Sequence, residues 1–148
     1  MVRSDRRPVS GRTVVVTTFC AIALMVGAFA SCGGDGRPES IAVSASPGVW
    51  PGTTTNPGQP SARWVERGKS FAVTLWGSGT CPPVPTRVQA DPAAGQIIVT
   101  ISEDYKGACT ADLGPYTSVV RLDNDMPAQD PVDLIIRQSQ RPDVQLRL

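Results

Sequence analysis

About seven short stretches of this chain alternate apolar and polar side chains with a period of two, and that alternation restricts the fold more than any other feature. Phe71, Val73 and Leu75 alternate with Ala72 and Thr74 ahead of Gly77-Ser78-Gly79, and Val84, Thr86, Val88 and Ala90 alternate with Arg87 and Gln89. Beyond the turn cluster Asp91-Pro92-Ala93-Ala94-Gly95, Ile97, Val99 and Ile101 alternate with Ile98, Thr100 and Ser102. Arg63 to Glu66, Tyr116 to Leu122, Val132 to Ile136 and Val144 to Leu148 complete the series, and no helical period of useful length intervenes. Successive side chains of a strand point to opposite faces, so each stretch is expected to bury one face. The expected fold is all-β: a small antiparallel β-sandwich of immunoglobulin-like size over residues 62–148.

What precedes the strands reads as an export leader and a tether. Arg3, Arg6, Arg7 and Arg12 stand against the single acid Asp5, and Thr13 to Ala30 follow without a charge. This is the order of a secretory signal peptide, expected over residues 1–31. Ala30-Ser31-Cys32 fits a lipoprotein cleavage box, with Gly33-Gly34 leaving the site open, and Cys32 is expected to become the lipid-bearing N-terminus. Phe29 stands where an aliphatic residue is usual. Ala28-Phe29-Ala30 is also an A-x-A site whose cleavage before Ser31 gives a soluble secreted protein, and the charge-free run is about long enough to stay in the bilayer as an anchor. Arg6-Arg7 is read as a plain basic start, because Pro8 displaces the hydrophobic residue that a twin-arginine signal places next. The expected location is the cell membrane, anchored by lipid on the extracytoplasmic face.

Cysteine usage agrees with that location. Of the four cysteines, Cys20 lies in the leader and Cys32 at its end, which leaves Cys81 and Cys109 as an even pair in the domain. An oxidising compartment makes a disulfide between them the expected state. Folding the intervening segment as a hairpin about Asp91 to Gly95 brings Cys81 back beside residues 105–109, so the bridge clamps the hairpin's open end. Pro82, Pro83 and Pro85 cannot donate to a ladder, and the strand after Cys81 is therefore expected at an edge or to start late.

Residues 32–61 are expected to form a flexible lipid-anchored linker. They are rich in Gly, Pro, Ser and Thr, with Trp50 the one large apolar side chain, and a flexible chain of that length spans roughly 30 Å. Removing the leader's four arginines and one aspartate from the 14 basic and 13 acidic residues leaves ten against twelve, a net charge of −2. With no basic cluster, nucleic acid is not an expected partner.

Two blocks in the domain carry a resemblance. Trp76-Gly77-Ser78-Gly79-Thr80-Cys81-Pro82-Pro83-Val84-Pro85 and Cys109-Thr110-Ala111-Asp112-Leu113-Gly114-Pro115-Tyr116-Thr117 resemble the paired W-G-S-x-x-C-P-P-x-P and C-T-x-D-x-x-P-x-T blocks of uncharacterised actinobacterial secreted proteins and lipoproteins. The resemblance covers about residues 64–122. It implies an extracytoplasmic, disulfide-bonded domain and no particular chemistry.

The chain has no histidine, which removes Ser-His-Asp and Cys-His catalysis and the usual zinc sites. Carboxylates remain. Glu103, Asp104 and Asp112 flank the expected bridge, as a pair of acids for glycoside hydrolysis would have to meet in space, and Asp123, Asp125, Asp130 and Asp133 are oxygen donors without the glycine and terminal glutamate of a calcium loop. Both sets are read first as solvated loops. Trp64, Trp76 and Tyr105 are read as core aromatics, with a carbohydrate or peptide surface as the alternative. The expected function is that of a non-enzymatic, extracytoplasmic binding or envelope-associated module, with no cofactor and no metal; its partners are the membrane, through lipid, and a cell-envelope protein or wall component. The alternative is a carboxylate-dependent hydrolase.

Overall fold

A computed structural model describes residues 36–127 and 131–148, and the expectations for the leader and Cys32 lie outside the described residues. The described residues form eight strands: β1 (Ser44–Pro47), β2 (Ser61–Glu66), β3 (Ser70–Gly77), β4 (Val84–Asp91), β5 (Gln96–Ser102), β6 (Gly114–Arg121), β7 (Asp133–Gln138) and β8 (Arg141–Arg147). They form two four-stranded sheets, ordered β1-β6-β3-β2 and β4-β5-β7-β8. The all-β sandwich is as expected, and strands β2 to β8 coincide with the seven alternating stretches.

The alternation sets the core. Phe71, Val73, Leu75 and Val120 of the first sheet meet Ile97, Val99, Ile101, Leu134 and Ile136 of the second, all essentially buried. Trp64 adds an edge-on contact to Phe71, ring centroids 6.3 Å apart at 89°. Edge-to-face pairing of this kind contributes about 0.5–1.5 kcal/mol beyond the area it buries.

Three of the five strand pairs outside the β5 and β7 ladder join strands consecutive in the chain, and all five are antiparallel; β5 and β7 run parallel, with Gln96 opposite Asp133 and Ile101 opposite Gln138. The intervening strand β6 belongs to the other sheet, so the chain crosses over and returns in the same direction. The fold is therefore a sandwich with one parallel pair rather than a purely antiparallel one. The proline expectation holds in both forms: β4 is an edge strand, it begins at Val84, and its register slips between Pro85 and Arg87.

The flexible linker expected over 32–61 does not extend through the described part of that segment. Gly36 C=O accepts the Lys106 N–H (3.0 Å), Ile41 N–H donates to Pro85 O (2.9 Å), and Val43 N–H donates to Val119 O (2.9 Å) before β1 pairs with β6. Past β1, Gly48 O accepts the Thr117 hydroxyl at 2.7 Å, the Arg63 guanidinium reaches Pro51 O and Gly52 O, and the Trp76 indole N–H donates to Gln59 O at 3.1 Å. These contacts explain why β3 is buried on both faces from Ser70 to Leu75. Phe71, Val73 and Leu75 face the core, while Ala72 and Thr74 are buried on the opposite face, where Thr74 is linked through Thr117 to Gly48 O. The segment is held largely through its backbone: the carbonyls of Gly48, Pro51, Gly52 and Gln59 accept, and the Gly48 N–H donates to Pro115 O at 2.9 Å.

Candidate functional site at the disulfide end

Strand directions bring the ends of β3 and β5 and the starts of β4 and β6, and so the two connections between them, to one end of the sandwich. The disulfide joins the β3–β4 and β5–β6 connections here, as expected, with Cα atoms 5.6 Å apart across a sequence separation of 28. Cys32, the expected lipid site, is not among the described residues.

Around the bridge the two sequence blocks interlock through a cluster of hydroxyls. Thr110 N–H donates to Thr80 Oγ1 (2.9 Å), and Gly79 N–H donates to Asp112 Oδ2 (3.1 Å). The Thr110 hydroxyl donates to Asp112 Oδ1, so its oxygen accepts from the other two hydroxyls near it, Ser78 at 2.9 Å and Thr80 at 3.1 Å. Two glycines of the first block are fixed by crowding: a Cβ at Gly79 would stand 2.6 Å from Asp112 Oδ2, and one at Gly77 would stand 2.4 Å from Pro83 Cδ. The cluster is exposed at Gly79, Thr80, Thr110 and Asp112.

Its electrostatics favour charge over proton transfer. The Thr110 hydroxyl, helped by the Gly79 N–H, holds the Asp112 carboxyl below the usual carboxylate range. A general acid at neutral pH requires a shift in the opposite direction. The other acids of this end are separately engaged: Glu103 pairs with Arg141 (3.5 Å), and Asp104 accepts from the Ser102 hydroxyl (3.3 Å). Glu103, Asp104 and Asp112 thus take different partners and share none. Tyr105 donates its hydroxyl to Pro82 O at 2.6 Å, and its burial pushes the phenol up, while the neighbouring Arg37 acts against that rise.

The second acidic set is dispersed. Asp123 and Asp125 are exposed on the β6–β7 connection, Asp133 lies 3.8 Å from the Arg147 guanidinium, and Asp130 is outside the described residues. Among the described residues no group of three or more acids, cysteines or histidines is placed to hold a metal ion. Of the aromatics, Trp64 packs on the core as expected. Trp76 is half-buried and lines a shallow groove of about 300 Å³ with Pro60, Arg141, Pro142, Asp143 and Val144. Trp50, the large apolar side chain of the expected linker, is half-buried, and its carbonyl accepts the Thr53 N–H at 3.0 Å.

The hydroxyl cluster was not anticipated as a unit. The available signal lay in the blocks themselves: once Cys81 and Cys109 are bridged, Ser78, Thr80, Thr110 and Asp112 lie within three residues of the bridge and must be neighbours. Comparison with protein-family models, with curated proteins and with solved structures returns no match to this chain.

Proposed function

We propose that this chain is a lipid-anchored, extracytoplasmic β-sandwich that acts by binding at the cell envelope and not by catalysis. The observation that carries the anchor is the cysteine count. Cys81 and Cys109 consume each other, so that, once the leader with Cys20 is removed, Cys32 is the single thiol left, directly after a basic and apolar leader. A lipid on its Sγ leaves an exported chain without a free thiol.

Binding is preferred to hydrolysis for a separate reason. Carboxylate-dependent glycoside hydrolysis needs two acids about 5–10 Å apart across a shared substrate position, one of them kept protonated. The acids of the disulfide end are bound to separate partners, and the carboxyl of Asp112 is shifted away from protonation.

Intact mass of the protein isolated from its native membrane tests the anchor, with and without reduction and thiol alkylation. The expected result is a diacylglyceryl-modified chain beginning at Cys32, with two alkylatable thiols that appear only on reduction. A chain beginning at Ser31 with one thiol open to alkylation before reduction would overturn it.

A further inference from the structure

We infer that the disulfide end of the sandwich, at Gly36, Arg37, Tyr105 and Lys106, rests on the outer headgroup layer of the membrane that holds the protein's own lipid. The inference depends on the anchor proposed above, and it follows from how little chain is left between that anchor and the first attachment to the sandwich.

The composition of residues 32–61 suggested a span of roughly 30 Å for a free chain. The structure shortens it. Gly36 is already pinned: its carbonyl accepts the Lys106 N–H at 3.0 Å, and its φ of +59° with Lys106 Cβ only 2.6 Å from where a Cβ would stand makes this a close approach that glycine alone accommodates. Ile41 N–H to Pro85 O is a second attachment at the same end. Only four Cα-to-Cα steps separate Cys32 from Gly36, a reach of at most about 14 Å for a fully extended chain. A diacylglyceryl group on Cys32 places that residue at the boundary of the acyl chains, and the headgroup layer itself takes up roughly 5–8 Å of the reach. What is left is about the length of one long side chain.

Charge does not drive this contact. Arg37, Lys106 and Arg141 are offset at this end by Glu39, Glu103, Asp104 and Asp112; the covalent tether imposes the contact. Its consequence is an orientation. The opposite end, formed by the β2–β3 turn, the Asp91 to Gly95 turn and the connection after β6, points away from the bilayer and is the end a partner in the envelope meets first.

The chain supplies its own probe, because Lys69 and Lys106 are its two lysines. Lys106 is at the disulfide end, and Lys69 is at the far end of β3, beside Ser70. The lipid-modified protein is placed in vesicles of phosphatidylcholine and phosphatidylglycerol and treated with a membrane-impermeant amine reagent. The lipid-free Cys32→Ser chain serves as reference, and the modified lysines are read by mass spectrometry. The expected result is a severalfold fall in Lys106 labelling relative to Lys69 in the vesicle-bound form only. An insertion of about twenty Gly and Ser residues after Gly34, which adds roughly 25 Å of reach, restores it. Unchanged Lys106 to Lys69 ratios on a chain whose mass carries the lipid overturn the orientation and leave the anchor standing. A mass without lipid overturns both.

Discussion

Thr74 and Thr117 place their hydroxyl oxygens 2.8 Å apart across the β3 and β6 ladder, on the buried face away from the core. The direction of this bond is set by a third group: Thr117 donates to Gly48 O at 2.7 Å, so the hydrogen between the two threonines comes from Thr74. The chain of donors runs Thr74 to Thr117 to Gly48 and ties the segment before β2 to the middle of the first sheet.

The two ends of that chain are not equivalent. Thr74→Val removes a donor, and Thr117 still satisfies Gly48 O, so the expected loss is about 1 kcal/mol. Thr117→Val strands the Thr74 hydroxyl in a site only 1% exposed and leaves Gly48 O without its donor, for an expected loss of about 2–3 kcal/mol. Urea unfolding of the soluble domain measures both. Equal losses would mean that Thr117 does not relay the bond.

The disulfide closes a loop of 28 residues in sequence separation, and in the chain-entropy treatment such a closure stabilises by about 3.5 kcal/mol. Cys81→Ser and Cys109→Ser are each expected to lower the melting temperature by roughly 15 °C for a domain of this size. Calorimetry of wild type with and without reductant gives the control: reduction should reproduce the mutants, and a reduced wild type that melts at the oxidised temperature removes the clamp.

Strands β2 to β8 were legible because apolar side chains recur at alternate positions along one face, which is what a period of two reports, although β3 and β6 are buried on their other face as well. β1 was not. Its sequence is Ser-Ala-Ser-Pro, all four residues exposed, and it exists through backbone pairing with β6 alone. The segment that follows it is invisible to composition for the same physical reason, since Gly48, Pro51, Gly52 and Gln59 are held by their carbonyls. The parallel pairing of β5 with β7 depends on which sheet receives β6, and nothing local to those strands encodes it. Of the candidate site, the bridge was legible from cysteine parity, whereas the hydroxyl cluster joins residues about thirty apart that carry no periodic signal.

The hold on the segment before β2 can be loosened at a single atom. Trp76→Phe keeps most of the ring and removes the indole N–H that donates to Gln59 O. Hydrogen exchange is expected to rise in residues 53–60, with the amides of β5 and β7 unchanged, because the lost bond lies outside the core. A uniform rise across both sheets would show instead that Trp76 supports the whole sandwich.

Asp112 predicts a pH dependence at the disulfide end. Its folded carboxyl binds a proton less tightly than an ordinary unfolded aspartate, chiefly through the Thr110 hydroxyl and further through the Gly79 N–H. The unfolded chain therefore takes up the proton first as pH falls. The contribution of Asp112 is complete above the unfolded carboxyl's value, at about pH 4 and higher, and is lost as pH falls through the lower folded value. Thr110→Val removes the main cause, so its stability should lie below wild type at pH 7 and converge on it under strongly acidic conditions. Asp112→Asn should flatten the same part of the curve. Because the group is exposed, the effect is small, and the slope of melting temperature against pH between about 2 and 5 is the quantity to compare. Parallel curves for wild type and Thr110→Val would show that the hydroxyl does not hold the carboxylate, and the interlock of the two blocks would then rest on the disulfide and the Thr110 N–H bond to Thr80.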